Sequence, residues 1–234
     1  MDTTKLGQHI SRQFNAELEE VRSSVLAMGG LVEEQINNAI AALVEGNTQL
    51  ADTVIKNDMK VNAAEVAIDE ECSHIIARRQ PAATDLRLMV AVIKTITDLE
   101  RIGDQAERIA RMGLRLAEFE RPKNQYVEIR NIGTRVAAMV HDALDAFARM
   151  DAEAAIAVAR EDLKVDQEYD GLMRQTLTFM MEDPRSISQM LDVMWTARAI
   201  ERIGDHAKNI CEYVIYLVKG KDVRHTGLVK KQRD

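Results

Sequence analysis

One five-residue string occurs twice in this chain, and its two acidic residues are spaced to bind a cation. The string Glu-Arg-Ile-Gly-Asp begins at Glu100 and ends at Asp104, and it begins again at Glu201 and ends at Asp205. On an α-helix, residues four apart lie on the same face, so each copy places two carboxylates side by side. Because these carboxylates repel each other unless a positive charge lies between them, the repetition predicts two cation sites.

Further oxygen ligands lie upstream of each string. Two residues four apart precede the first string, two more precede the second, and Glu107 adds an acid one turn beyond the first. Antiparallel helices packed about 8 to 10 Å apart bring such pairs together. An all-oxygen set with no thiolate and little imidazole favours Mg, Ca, Mn or Fe over a structural zinc site. The predicted metal ligands are Glu100, Asp104, Glu201, Asp205, Asp162, Asp166, Asp58 and Asn62.

An ordinary solvated helix face is the alternative explanation for any one acid pair, because 38 acidic residues produce many such pairs by chance. It suits Asp58 with Asn62 better than it suits an identical string found twice. Gly103 and Gly204 also favour a special role, since a glycine within a helix costs about 1 kcal/mol relative to alanine. A close approach by another helix or a ligand would compensate for that cost. His206 points about 100° away from Asp205, so we expect a surface or interface histidine.

The chain aligns with itself, which predicts two homologous halves. An offset of 104 residues pairs Gly29 with Gly133, the offset falls to 103 at Pro81 and Pro184, and it falls to 101 at the repeated string. Changes of offset near prolines indicate different loop lengths, because insertions are tolerated in loops and not within packed helices. The predicted fold is therefore all-α, with six long helices in two tandem homologous three-helix bundles related by internal duplication.

Apolar spacing and polar caps place the helices of the first half. A first amphipathic helix ends at Gly46, and Asn47 caps a second helix that runs to about Arg79. Pro81 stops that helix, and Thr84 is expected to cap the third, which runs to about residue 117.

The second half repeats this plan. It has a helix over about residues 126–149, a restart at Asp151 and a break at Pro184. Ser186 with Gln189 three residues later predicts a capping box at the start of the last helix. The predicted domains are residues 1–120 and 125–218, joined by a linker over 121–124 and followed by a flexible C-terminal tail over 219–234.

Composition excludes several classes of function. A net charge of −7 argues against nucleic-acid binding, which depends on clustered basic residues. Without an apolar run of about 20 residues or a signal peptide, we expect a soluble cytoplasmic protein in which Cys72 and Cys211 are buried thiols. No nucleophile elbow or phosphate-binding loop is present. Glu71 and His74 form a Glu-x-x-His pair, but the second such pair of a ferritin-like di-iron site is missing.

Four further segments, taken with the doubled string, carry a resemblance to a known family. They are His-Ile-Ser-Arg-Gln-Phe-Asn-Ala-Glu-Leu at 9–18, Arg-Gln-Pro-Ala-Ala-Thr-Asp-Leu-Arg at 79–87, Asp-Ala-Phe-Ala-Arg-Met-Asp at 145–151 and Phe-Met-Met-Glu-Asp at 179–183. Over essentially its full length the chain resembles the PhoU family of bacterial phosphate-transport regulators.

This resemblance implies a non-enzymatic, cytoplasmic negative regulator of the phosphate (Pho) regulon that also modulates phosphate uptake. Such a protein relays phosphate sufficiency from the Pst transporter to the sensor histidine kinase PhoR. It implies a homodimer that contacts the transporter ATPase subunit PstB and the PAS region of PhoR, and that reaches the membrane only through these partners.

The resemblance also implies metal clusters bound through Glu/Asp-x-x-x-Asp motifs, with Fe, Mn, Mg or Zn as the candidate divalent or trivalent ions. In this chain these motifs correspond to Glu100 with Asp104 and Glu201 with Asp205, joined by Asp162 and Asp166. Asn62 departs from the acidic pattern, so the first site is expected to hold fewer or more weakly bound ions.

Two other functions stay open at this point. One is a metal-dependent phosphoester or polyphosphate hydrolase that uses the same carboxylates with a bridging water. The other is a helical adaptor that binds no metal.

Overall fold

The computed structural model describes residues 3–119 and 126–223, with side chains from residue 12 onward. The described residues contain six α-helices and no strand, which confirms the predicted all-α fold. The linker predicted at 121–124 and the tail beyond residue 223 lie outside the described residues. The helices are α1 (Thr3–Glu45), α2 (Thr48–Arg79), α3 (Ala83–Leu116), α4 (Val127–Arg149), α5 (Ala152–Glu182) and α6 (Ile187–Lys219), with a 3-10 turn (Pro184–Ser186) before α6.

The helix ends at the two hairpin turns follow from local sequence, as predicted. Gly46 ends α1 with a φ of +72°, a conformation that glycine adopts at no steric cost. Asn47 caps α2, because its Oδ1 accepts a hydrogen bond from the backbone N–H of Leu50 at 3.0 Å. Asp151 caps α5 in the same way, with its Oδ1 accepting from the next two free backbone N–H groups.

The predicted Thr84 cap is wrong. The helix α3 begins at Ala83, so Thr84 already lies within its first turn, and the preceding Ala82 makes no side-chain cap bond. The Thr84 hydroxyl instead accepts a hydrogen bond from the guanidinium of Arg87 at 3.2 Å.

The predicted capping box of the last helix is also wrong. Pro184 starts a 3-10 turn, so the capping role falls to Asp183, whose Oδ1 accepts from the N–H of Arg185 at 3.1 Å. Ser186 adopts helical dihedrals and donates its hydroxyl to the carbonyl of Asp183 at 2.7 Å. Gln189 reaches the hydroxyl of Tyr126 at 3.4 Å rather than the backbone of Ser186.

The helices of each half pack on one another, and the two halves also pack together along α3 with α6 and α1 with α4. The buried apolar residues form one cluster that runs through both halves. The helices α3 and α6 pack antiparallel. Asp98 of α3 contacts His206 of α6, while Arg115, later in α3, forms an ion pair with Asp192, earlier in α6, at 2.8 Å. A side chain in one half therefore has much of its packing in the other.

Two reciprocal contacts show that an approximate two-fold axis relates the halves. A Cβ at Gly29 would lie 2.7 Å from the Cδ1 of Leu144, and a Cβ at Gly133 would lie 2.6 Å from the Cδ1 of Ile40. The sequence offset of 104 pairs Gly29 with Gly133 and Ile40 with Leu144. The internal repeat is thus also a repeat of contacts, in which a glycine of one long helix admits an aliphatic side chain of the other.

Replacing Gly133 by alanine is expected to lower the free energy of unfolding by about 1–2 kcal/mol. The added methyl group overpacks the contact with Ile40, and this cost outweighs the gain in helix propensity. The matched control is Gly30→Ala, where a Cβ meets nothing within 4 Å, and it should stabilise by about 0.5–1 kcal/mol. Urea denaturation of both variants measures the difference, and equal shifts would show that α1 and α4 do not approach so closely.

Candidate functional site

Each half contains a cluster of carboxylates on its second and third helices. In the first half, Asp58 comes from α2, and Glu100 and Asp104 come from α3. Asp58 is buried, Glu100 is half-buried and Asp104 is exposed. Burial raises the pKa of Glu100, and the negative charges of Asp104, Glu65 and Asp58 raise it further. The three predicted acids therefore share one electrostatic environment.

Gly103 explains how Asp58 reaches this position. A Cβ on Gly103 would stand 3.3 Å from the Oδ1 of Asp58 and 3.3 Å from the Cγ1 of Val61. Such distances are tighter than ordinary carbon contacts, so a larger residue would push α2 away from α3. The glycine inside the string brings a carboxylate from the neighbouring helix to the acidic ladder, as the sequence predicted.

Asp58 has one carboxylate oxygen without a partner among the described residues. Its Oδ2 accepts from the Nδ2 of Asn62 at 3.1 Å, while its Oδ1 is buried and unpaired. Burial raises the pKa of Asp58, and the charges of Asp104 and Glu107 raise it further. An unpaired buried oxygen costs free energy, and a cation would remove that cost.

The second cluster repeats this arrangement. It combines Asp162 and Asp166 of α5 with Glu201 and Asp205 of α6. Burial raises the pKa of Glu201 to about 7; the charge of Asp205 also raises it, and Arg198 opposes the shift. The Oε2 of Glu201 is buried and unpaired, while its Oε1 accepts from Arg198 at 2.6 Å. Partial desolvation also raises the pKa of Asp205, and the charge of Asp162 adds to it.

The two clusters differ at one position that the sequence reasoning missed. The Nζ of Lys208 donates to the Oδ2 of Asp162 at 2.5 Å, so the second cluster contains its own ammonium group. The repeat counterpart of Lys208 is Glu107, which forms an ion pair with Arg111 at 2.5 Å. Lys208 reduces the negative charge of the second cluster, and this opposes the expectation that Asn62 makes the first site the weaker one. The signal was available, since alignment of the two strings pairs Glu107 with Lys208.

The donors of both clusters suit a hard cation, because every predicted ligand offers oxygen and each cluster has an unpaired buried oxygen. Their present arrangement is not a closed coordination shell. In the part of the chain that the structure describes, no three His, Cys, Asp or Glu side chains are grouped so as to hold a metal ion. Exposed Asp104, Asp166 and Asp205 would have to turn toward an incoming ion.

His206 belongs to a different feature, a polar contact between the halves. It is buried, as is Asp98. The Nδ1 of His206 lies 2.6 Å from the Oδ1 of Asp98, Tyr213 donates its hydroxyl to the Oδ2 at 2.7 Å, and Asn209 donates to the Oδ1 at 3.2 Å. This histidine is structural, in agreement with the expectation of an interface residue.

The remaining candidates are chemically quiet. Cys72 and Cys211 are buried and unbridged, and burial raises the pKa of each thiol to about 12, so neither is a nucleophile at neutral pH. Burial raises the pKa of Glu71, and the negative charges of the nearby Glu20 and Glu17 raise it further. None of the helices described has an apolar stretch of the length that a bilayer requires.

The sequence matches one family model twice. The model of the PhoU domain matches residues 25–112 and again residues 129–214. Each match covers most of one helical half, so the family's own repeat unit corresponds to the repeat seen in the structure.

Relatives of known name match over nearly the whole chain. A Pseudomonas putida protein named phosphate-specific transport system accessory protein PhoU homolog is 58% identical over 95% of this chain and 87% of its own length. The phosphate-specific transport system accessory protein PhoU of Escherichia coli K12 is 51% identical over 97% of this chain and 94% of its own.

Solved structures have the same fold. The crystal structure of PhoU from Pseudomonas aeruginosa aligns with a TM-score of 0.86 at 54% identity, covering 89% of this chain and 100% of that one. The phosphate transport system regulatory protein PhoU from Streptococcus pneumoniae aligns with a TM-score of 0.83 at 30% identity, covering 90% of this chain and 99% of that one.

Proposed function

The chain belongs to the PhoU family, and we propose that it is an accessory protein of phosphate transport whose two acidic clusters bind metal ions. The role in phosphate transport is supported by relatives of that name that match over nearly the full chain. Metal binding is supported by one observation above all. Asp58 and Glu201 are buried in equivalent acidic clusters, and each keeps an oxygen without a partner among the described residues.

Within this role, the finer proposal is negative regulation of the Pho regulon. The protein would relay phosphate sufficiency from the Pst transporter, through its ATPase subunit PstB, to the sensor kinase PhoR, as a cytoplasmic homodimer. Charge supports a docking function, since a net charge of −7 favours association with basic surfaces. A bound metal would neutralise the repulsion within each cluster and hold the second and third helices of each half together.

The proposal includes no enzymatic step. One observation favours the hydrolase alternative enough to test it. A pKa of about 7 on Glu201 is the value that a general acid or base needs near neutral pH. The same shift follows from burial and crowding alone, so activity has to be measured on metal-loaded protein.

The double variant Glu201→Gln with Asp205→Asn is expected to lose the ions of the second cluster, because both substitutions remove anionic oxygen at constant shape. Bound manganese is counted by elemental analysis after loading and desalting. The matched control is Asp69→Asn on the exposed face of α2, which should retain the wild-type content. Unchanged metal in the double variant would reject the assignment of these ligands.

The same variants test the function in cells. In phosphate-replete medium, a strain that lacks its own copy should express a Pho-regulated reporter, and the wild-type protein should repress it. We expect the double variant to repress at least severalfold less. Full repression by a double variant that has lost its metal would support the adaptor alternative. Phosphoester turnover that disappears in the double variant would support the hydrolase.

A further inference from the structure

A groove of about 430 Å³ opens at the far end of the second half, away from the acidic clusters. Its apolar wall comes from α5 and from the first turns of α6. Phe179 stands at its edge with 47% of its surface exposed. The lining from these two helices includes Leu172, Thr176, Phe179, Met190 and Val193.

The corresponding surface of the first half is closed. The repeat offsets of 104 on α5 and 101 on α6 assign a counterpart to each of the five lining residues. All five counterparts are buried, and they are Ile68, Cys72, Ile75, Met89 and Val92. The two halves therefore differ at the outer edge of this wall, where Phe179 is 47% exposed and its counterpart Ile75 is 5% exposed, while the other four positions are buried in both halves.

The extension of α1 covers the wall in the first half. Gly29 corresponds to Gly133, so the first residue of α4, Val127, corresponds to Ser23. Residues 3–22 of α1 then have no helical counterpart in the described part of the second half. This extension lies at the end of α2, because Arg79 donates twice to Glu17, at 2.6 and 2.9 Å.

The extension presents an amphipathic face to the core. Leu18 and Val21 are buried in the core, and Phe14 packs against it. These positions are three or four residues apart, the spacing of one helix face. A helix on the second wall would need apolar residues at the same spacing.

Charged residues at the edge of the groove indicate which helix would fit it. The counterpart of Arg79 is Asp183, which forms an exposed ion pair with Arg185 at 3.0 Å, and Glu128 and Glu182 also line the groove. The first half pairs an acid of the covering helix with a basic wall residue, whereas the edge of the second wall has three acids and one arginine, Arg185, and so is net negative. A helix seated there needs Lys or Arg at the position that Glu17 has in α1.

We propose that this groove binds an amphipathic α-helix of a partner protein, with an apolar face and a basic residue placed against Asp183. Helix-in-groove recognition of this kind uses apolar anchors at i, i+3 or i+4, and i+7. The α1 helix of a second copy fits less well, because its Glu17 would face Asp183. The inference does not depend on metal binding.

A peptide made from this chain's own extension is the sharpest probe. Two fluorescein-labelled peptides are compared, residues 12–25 with Glu17→Arg and the same residues unchanged. The Glu17→Arg peptide is expected to bind the full chain at least tenfold more tightly by fluorescence anisotropy. Asp183→Asn keeps the turn's cap acceptor and should remove most of this preference.

Two variants of the protein locate the binding. Phe179→Glu alters an exposed groove residue and should weaken binding of the Glu17→Arg peptide at least tenfold. The matched control is Leu177→Glu, a similarly exposed residue of α5 that does not line the groove, and it should bind as wild type. Circular dichroism checks that both variants retain the helical fold.

Several results would overturn the proposal. They are absence of binding at about 1 mM peptide, equal binding of the two peptides, or no effect of Phe179→Glu. Sedimentation that shows a dimer dissociated by Phe179→Glu would assign the groove to a second copy instead.

Discussion

Replacing Asp98 by alanine is expected to lower the free energy of unfolding by about 3–5 kcal/mol. Asp98 is buried between α3 and α6, where its two oxygens contact His206, Asn209 and Tyr213. Removing the carboxylate leaves these polar groups inside the interface without their acceptor, and each such loss costs about 1–3 kcal/mol. Urea denaturation followed by circular dichroism measures the change. The loss should be large because one side chain from the first half meets three from the second.

The matched control is Asp69→Ala on the exposed surface of α2, which should change stability by no more than about 0.5 kcal/mol. If Asp98→Ala does not fold, Tyr213→Phe removes a single hydrogen bond to the same carboxylate and should cost about 1 kcal/mol. A loss below about 1 kcal/mol in a folded Asp98→Ala protein would show that this contact contributes little to holding the halves together.

The sequence predicted the helices and the repeat because both depend on local or periodic signals. Apolar spacing identified the helices, and Gly46, Asn47 and Asp151 identified the two hairpin turns. The glycine of the repeated string correctly predicted a close approach in the first half, where Gly103 makes room for Asp58. In the second half a Cβ on Gly204 would lie 3.5 Å from its nearest neighbour, which is an ordinary contact. These features can be predicted because each has a conformational or steric cost that the sequence records directly.

The polar interface between the halves was missed, because it depends on which helices meet. His206 was placed only as a surface or interface residue, and Asp98 was not identified. Both positions break the repeat, with Ala199 in place of Asp98 and Gln105 in place of His206. Two departures on helices that pack antiparallel indicate a pair, but only once the packing of α3 on α6 is known. The caps at Thr84 and Ser186 failed for a related reason, since the proline turns before α3 and α6 changed where those helices begin.

Glu201→Gln is expected to stabilise the metal-free protein at pH 8 by about 1–3 kcal/mol. Burial raises the pKa of Glu201 to about 7, against 4.5 in the unfolded chain. As the pH rises from 4.5 to 7, the unfolded chain releases a proton that the folded protein retains. Wild-type stability therefore falls across this window relative to the variant, and above pH 7 the full cost is present. Urea denaturation in chelator from pH 4 to pH 8 measures both curves, which should converge at the acidic end.

Metal should reverse this order. A bound cation favours ionised Glu201, so manganese is expected to stabilise the wild type more than Glu201→Gln. The matched control is Glu70→Gln on the exposed face of α2, which should follow the wild type in both conditions. If the free energies of unfolding of wild type and Glu201→Gln change in parallel with pH, the ionised carboxylate of Glu201 does not destabilise the metal-free protein. If Glu201→Gln is more stable than the wild type at pH 8 and manganese does not change this difference, the destabilisation by Glu201 is unrelated to metal binding. Glu201 is therefore expected to destabilise the metal-free protein at pH 8 and to stabilise the metal-bound protein.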